Sequence, residues 1–148
     1  MIAERRVEDD GNAMTAVYRT AGLIMAVVFA AVGLLFLLFS DGVLAFFNRV
    51  SDAIGFPGGP EHAAGFYLGL AVGYMYLVTV IAFMMWRYPR DRVLPLLLIN
   101  GKAASAILSM GLFVFQQPLL IYATNAVVDG AIAVGVLFLH KTYVGRVK

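Results

Sequence analysis

The 148-residue chain contains no cysteine. That excludes disulfides, iron–sulfur clusters, thiolate zinc sites, cysteine nucleophiles and covalent c-type haem attachment. Charge is also scarce. Charged residues make up 14% of the chain, against about 25% in an ordinary soluble domain. The formal net charge of +2 is too small to point to a nucleic-acid partner. What replaces charge is apolar surface: 61% of the residues are hydrophobic, where roughly 45–50% is usual. A soluble fold of this size could not hide that excess, so the composition argues for a membrane protein.

A membrane-crossing helix needs about 20 mostly apolar residues to pass roughly 30 Å of hydrocarbon. Four stretches qualify, over about 20–40, 63–86, 93–115 and 118–139. The first two are uncharged. The third is broken only by Lys102 and the fourth only by Asp129. Trp86 and Tyr88 sit where an interfacial aromatic belt belongs. Asp91, Arg92 and Pro95 suit the start of the third helix, since proline is tolerated in a first turn. Gln116-Gln117-Pro118 is a very short turn that forces the third and fourth helices into an antiparallel hairpin. The first span is too long for a signal-peptide core and reads as a retained helix.

Positive charges set the expected orientation. Arg5, Arg6 and Arg19 precede the first span, Arg87, Arg90 and Arg92 separate the second and third, and Lys141, Arg146 and Lys148 follow the fourth. The connection from Asp41 to His62 has a single base, Arg49, and the last connection has no charge. The positive-inside rule then puts both termini in the cytoplasm. Within the long outer connection, Val43, Phe46, Phe47, Val50 and Ile54 recur at helical spacing, with Asn48, Arg49, Ser51 and Asp52 on the other side. That pattern predicts a short helix lying in the outer interface, ended by Gly55-Phe56-Pro57-Gly58-Gly59-Pro60. The expected fold is an all-α integral membrane protein: one four-span domain over 1–148, a four-helix transmembrane bundle with both ends inside. A bacterial inner (plasma) membrane is the expected location.

Hydrophobicity does not drive helices together in lipid, whereas close approach at small residues does. The second span has Gly65, Gly69 and Gly73 at four-residue spacing. The first has Gly22, Ala26 and Ala30, with Gly33 near the same face. The expectation is that these two stripes cross tightly, or that one of them makes a homo-oligomer contact.

Lys102 and Asp129 are the residues out of place. One central Lys or Asp costs about 2.5–3.5 kcal/mol on the insertion scale. Lys102 lies about 15 Å past Arg92, and Asp129 about 18 Å before Lys141 on the same side, at 1.5 Å per residue. Both are near the midplane, on adjacent helices and of opposite sign, so they are expected to pair. At 100° per residue, Ser105 and Ser109 fall within about 60° of Lys102, and Tyr122, Asn125 and His140 within about 40° of Asp129. The two stripes should face each other or a shared cavity. Asn100 points away from Lys102. Tyr76 and Thr79, on the glycine face of the second span, are expected to complete the polar interior.

Several chemistries find no support. His62 and His140 lie at opposite ends of their spans, too far apart in depth for bis-histidine haem ligation. No pair of His or carboxylate residues has metal-binding helical spacing within a span, and no metal or cofactor is predicted. Asp129-Gly130 begins like the motif of transferases that use a CDP-alcohol, but the later residues of that motif are missing. A nucleophile elbow is absent too. Arg19, Gly22 and Gly33 in a four-span layout resemble DoxX-like small membrane proteins; the resemblance covers layout and transfers no site.

Two functions remain. The first is a non-catalytic accessory subunit that docks on a larger membrane assembly, redox or respiratory, or on a second copy of itself. The second is a small proton-coupled transporter or a binding protein for a lipophilic ligand, quinone or lipid. Its candidate residues are Lys102, Asp129, Asn125, Tyr122, Ser105 and Ser109. A lipid-directed enzyme built on Tyr122, Asp129 and Lys102 has least support.

Overall fold

The computed structural model describes residues 2–59 and 65–146, and the side chains of 11–59 and 67–145. Four α-helices make up the fold: α1 (Ile2–Ile54), α2 (Gly65–Arg87), α3 (Val93–Phe115) and α4 (Leu120–Arg146). Each is long and apolar enough to cross a membrane. The exterior is unlike a soluble protein's, and a few polar groups share the apolar core. Large apolar residues such as Leu38, Ile107, Leu108 and Phe138 face outward, while Lys102, Asp129 and Ser109 are buried. Such an exterior is stable only against an apolar solvent, so the chain is a multi-pass membrane protein.

Helix ends follow local chemistry. The Asp91 carboxylate accepts the Val93 N–H at 2.8 Å, and Pro95 is buried in the first turn of α3, where its missing donor costs nothing. Beyond Phe115, the Gln116 and Gln117 amides both bond to the Leu112 carbonyl, at 3.1 and 3.2 Å, and the chain turns at once into α4. α1 extends well beyond the expected span at both ends. The segment expected as a separate outer helix is its continuation, after a break at Phe39 (φ −134°, ψ 34°). Ser40, Asp41 and Gly42 follow at once, a local composition that commonly accompanies helix kinks.

Phe46 and Ile54 are exposed, whereas Ser51 is buried. Asn48, on the side opposite the apolar residues, clamps the following loop. Its Nδ2 donates to the Gly59 carbonyl at 3.2 Å, and its Oδ1 accepts the Gly59 N–H at 2.8 Å.

α1 packs mainly on α2 and α3 mainly on α4; the α2–α3 and α1–α4 seams are lighter, and the diagonal pairs stand apart. The helices therefore ring a central axis in chain order. The tightest seam is at Gly22, where an added Cβ would lie 3.0 Å from the Trp86 nitrogen and 3.1 Å from the Ala82 carbonyl oxygen. Ala26 is buried and Ala30 half-buried along the same seam. A Cβ at Gly33 would come within 3.1 Å of the Met75 Cβ. The α2 half of the expected zipper is different. Gly69 and Gly73 have nothing within 4 Å of an added Cβ; they face outward, and Met75, Val78, Ala82 and Met85 meet α1 instead. The physical reason is phase. Gly69 lies about 180° and Gly73 about 140° from Val78 around the helix. Gly65 begins α2, and its surroundings lie outside the described side chains.

Candidate functional site

The two halves of the bundle are built differently. Toward the chain termini the centre of the bundle is packed: Tyr18, Phe29, Val78, Met85, Leu98, Val136 and Tyr143 form one buried cluster, with cavities at its margins. Toward the other end lies a cavity of about 390 Å³. All four helices line it, with Phe36 and Leu112 at its far reach and Lys102 and Asp129 at its base. Lys102 and Asp129 therefore sit at the junction between packed core and open space.

The pair is direct. The Lys102 Nζ donates to the Asp129 Oδ1 at 2.8 Å, with side-chain exposures of 3% and 5%. The ammonium also lies 4.7 Å from the centre of the Phe29 ring and 5.1 Å from that of Tyr74. A carboxylate and two π faces thus share one cation, and each ring contact gains strength from exclusion of water. The Gly130 backbone next to Asp129 approaches Ala106 closely enough that an added Cβ would meet its methyl at 3.8 Å. Small residues here let α3 and α4 come near enough for a single 2.8 Å bond across the seam.

One step outward along the same seam is a second polar cluster. The Asn125 Nδ2 donates to the Ser109 Oγ at 2.7 Å and to the Ser105 Oγ at 3.2 Å. Tyr122 lines the cavity beyond them. The six residues singled out by helical phase therefore line one space. Asn125 is exposed although its amide bonds inward, so the cavity is open sideways toward the bilayer along α4.

Other expectations fall elsewhere. Tyr76 is 71% exposed, and Thr79 bonds back to the Met75 carbonyl of its own helix at 2.7 Å. Neither reaches the polar interior. Both were placed by the glycine face, which points outward. Asn100 does point away, donating to the Leu96 carbonyl at 2.8 Å. His140 belongs to a different cavity near the 87–92 connection, and His62 lies outside the described residues. The contribution of α2 is Tyr74, which the sequence reading missed. Its hydroxyl is buried in the cavity wall close to the Ser105 hydroxyl, without a well-formed hydrogen bond among the described residues. The phase of Tyr74, about 40° from Val78, marks it as inward only once Val78 is seen to be buried.

Chemically, the site offers one neutralised ion pair, an amide, two serine hydroxyls and an unsatisfied phenol, under largely apolar walls. It matches a neutral polar head on an apolar body. A charged head would leave a net charge in a low-dielectric space, a cost of several kcal/mol for an uncompensated ion. No known protein family, curated protein or solved structure matches this chain.

Proposed function

We propose that the chain is a small inner-membrane protein that binds a lipophilic ligand through a neutral, carbonyl-bearing head of the quinone class. The observation that supports it most is the buried Tyr74 hydroxyl, close to the Ser105 hydroxyl but without a well-formed hydrogen bond, beside the Lys102–Asp129 pair in a cavity open to the bilayer. A buried hydroxyl without a bond costs about 1–3 kcal/mol. A ligand carbonyl would accept from it, while the ring of the ligand packs among Phe29, Phe36 and Tyr122. Both termini are cytoplasmic in this reading. The segment after Phe39 lies in the outer interface, its Phe46 and Ile54 facing lipid.

Titration of the protein in lipid nanodiscs with a short-tailed quinone tests this. Saturable binding at one ligand per chain is expected. Lys102→Met together with Asp129→Leu, which replaces the pair with apolar volume, weakens it by about tenfold or more. Binding of equal strength in the two proteins, or none to either, overturns the proposal.

A second reading, an accessory subunit, rests on the outward glycine face of α2. Gly69 and Gly73 leave open backbone there, where a helix of a partner or of a second copy could approach closely. In this reading the native mass after gentle solubilisation exceeds that of the monomer. Gly69→Leu with Gly73→Leu returns it to the monomer without touching ligand binding. A wild-type protein that is always monomeric counts against it.

A further inference from the structure

A separate polar cavity of about 280 Å³ opens at the end of the bundle that holds the 87–92 connection. Its lining includes Arg90, Asp91, Arg92, His140 and Tyr143. We propose that it binds a phosphate group. Four features converge there. Arg90 and Arg92 both line it, and neither makes an ion pair among the described residues. Tyr143 is 5% exposed, yet its hydroxyl has no hydrogen-bond partner among the described residues. Its ring is fixed by stacking on Tyr18, with centroids 4.5 Å apart, so the hydroxyl cannot swing out to water. His140 Nδ1 is likewise buried and without a partner. Finally, α3 begins at Val93, which adds roughly half a positive charge at its N-terminus.

Asp91 works against an anion but is already engaged. Its Oδ1 caps the Val93 N–H at 2.8 Å, and two arginines against one aspartate leave the lining cationic. Phosphate fits better than a carboxylate because several oxygens are needed to answer two guanidinium forks, a phenol and an imidazole N–H. Basic pockets between transmembrane helices are a known setting for phosphate-bearing headgroups. The phosphate comes either from an anionic lipid or from a soluble phosphate, since the connection lies at the membrane boundary.

The test uses the full chain in neutral detergent. Thermal unfolding and ³¹P NMR titrations are run with inorganic phosphate, with dihexanoyl phosphatidic acid, and with potassium chloride at matched ionic strength. Thermal stabilisation is expected with at least one phosphate probe and not with chloride, together with saturable broadening of that probe's ³¹P signal. A response to the lipid alone assigns a headgroup; a response to both assigns free phosphate chemistry. Arg90→Gln with Arg92→Gln should weaken binding by about a hundredfold, and Tyr143→Phe by about tenfold. Tyr143→Phe keeps the ring stack, so it decides the matter should the double variant not fold. No response to either probe, or equal responses in wild type and Tyr143→Phe, overturns the proposal.

Discussion

Asp129 and Lys102 each cost too much alone, and together they constrain what may be changed. Replacing Asp129 with Leu leaves a buried ammonium whose remaining neighbours are two aromatic faces. Replacing Lys102 with Met leaves a carboxylate without a cation. Either single change should lower stability by about 3–5 kcal/mol, while the double change recovers most of the loss. Unfolding in mixed micelles titrated with dodecyl sulfate measures this. Equal losses in the singles and the double would mean that the pair is incidental to folding. The pairing itself was legible in the sequence, because two lone charges of opposite sign at matching depth on a tight hairpin have little other recourse. Tyr74 was not, because an aromatic residue in an apolar run gives no sign of which way it faces.

Helix faces are hard to read in a membrane protein for a definite reason. In water, apolar periodicity marks the buried side. In lipid both sides are apolar, and the pattern fades. Small residues then become the remaining guide, and on α1 the guide is good: Gly22 meets the backbone of α2 directly. On α2 it fails, because Gly69 and Gly73 sit opposite Val78, Ala82 and Met85. Substitution separates the two cases. Gly22→Ala would push a methyl into the Trp86 nitrogen and the Ala82 oxygen, neither of which can move freely, and should cost about 1–3 kcal/mol. Gly73→Ala enters open space and should leave stability unchanged or slightly higher, because alanine is the better helix former. Comparable losses at the two positions would contradict the observed seam. The outer clamp is tested in the same way. Asn48→Ala removes both bonds to Gly59 and should cost about 1–2 kcal/mol. It should also raise amide exchange at Phe56–Gly59 while leaving α3 protected. A loop unaltered in exchange would mean that the clamp does not hold it.

At the scale of the whole molecule, the helix count and the α3–α4 hairpin follow from run length and a three-residue turn. The unequal filling of the two halves does not. It depends on how Tyr18, Met85, Leu98 and Tyr143 fit together, and three-dimensional packing of that kind leaves no periodic trace in a sequence. Orientation rests on the arginine distribution, and the absence of native cysteine makes it simple to examine. Single cysteines at Gly58 and Gln117 should react with a membrane-impermeant maleimide in intact cells. Cysteines at Asn12 and Tyr88 should react only after permeabilisation. The reverse pattern would invert the protein in the membrane, and a mixed pattern would break the four-crossing layout.

The proposed ligand site is the cavity above the Lys102–Asp129 pair. A short-tailed quinone with a photoreactive group on its ring, activated in nanodiscs and mapped by peptide mass spectrometry, examines that most directly. Adducts are expected on Tyr74 and on the α3 and α4 segments that hold Ser105 and Asn125, competed away by unlabelled quinone and lost in the Lys102→Met, Asp129→Leu protein. Adducts confined to outward residues such as Tyr76 and Ile107, indifferent to competitor and to the double substitution, would contradict that site.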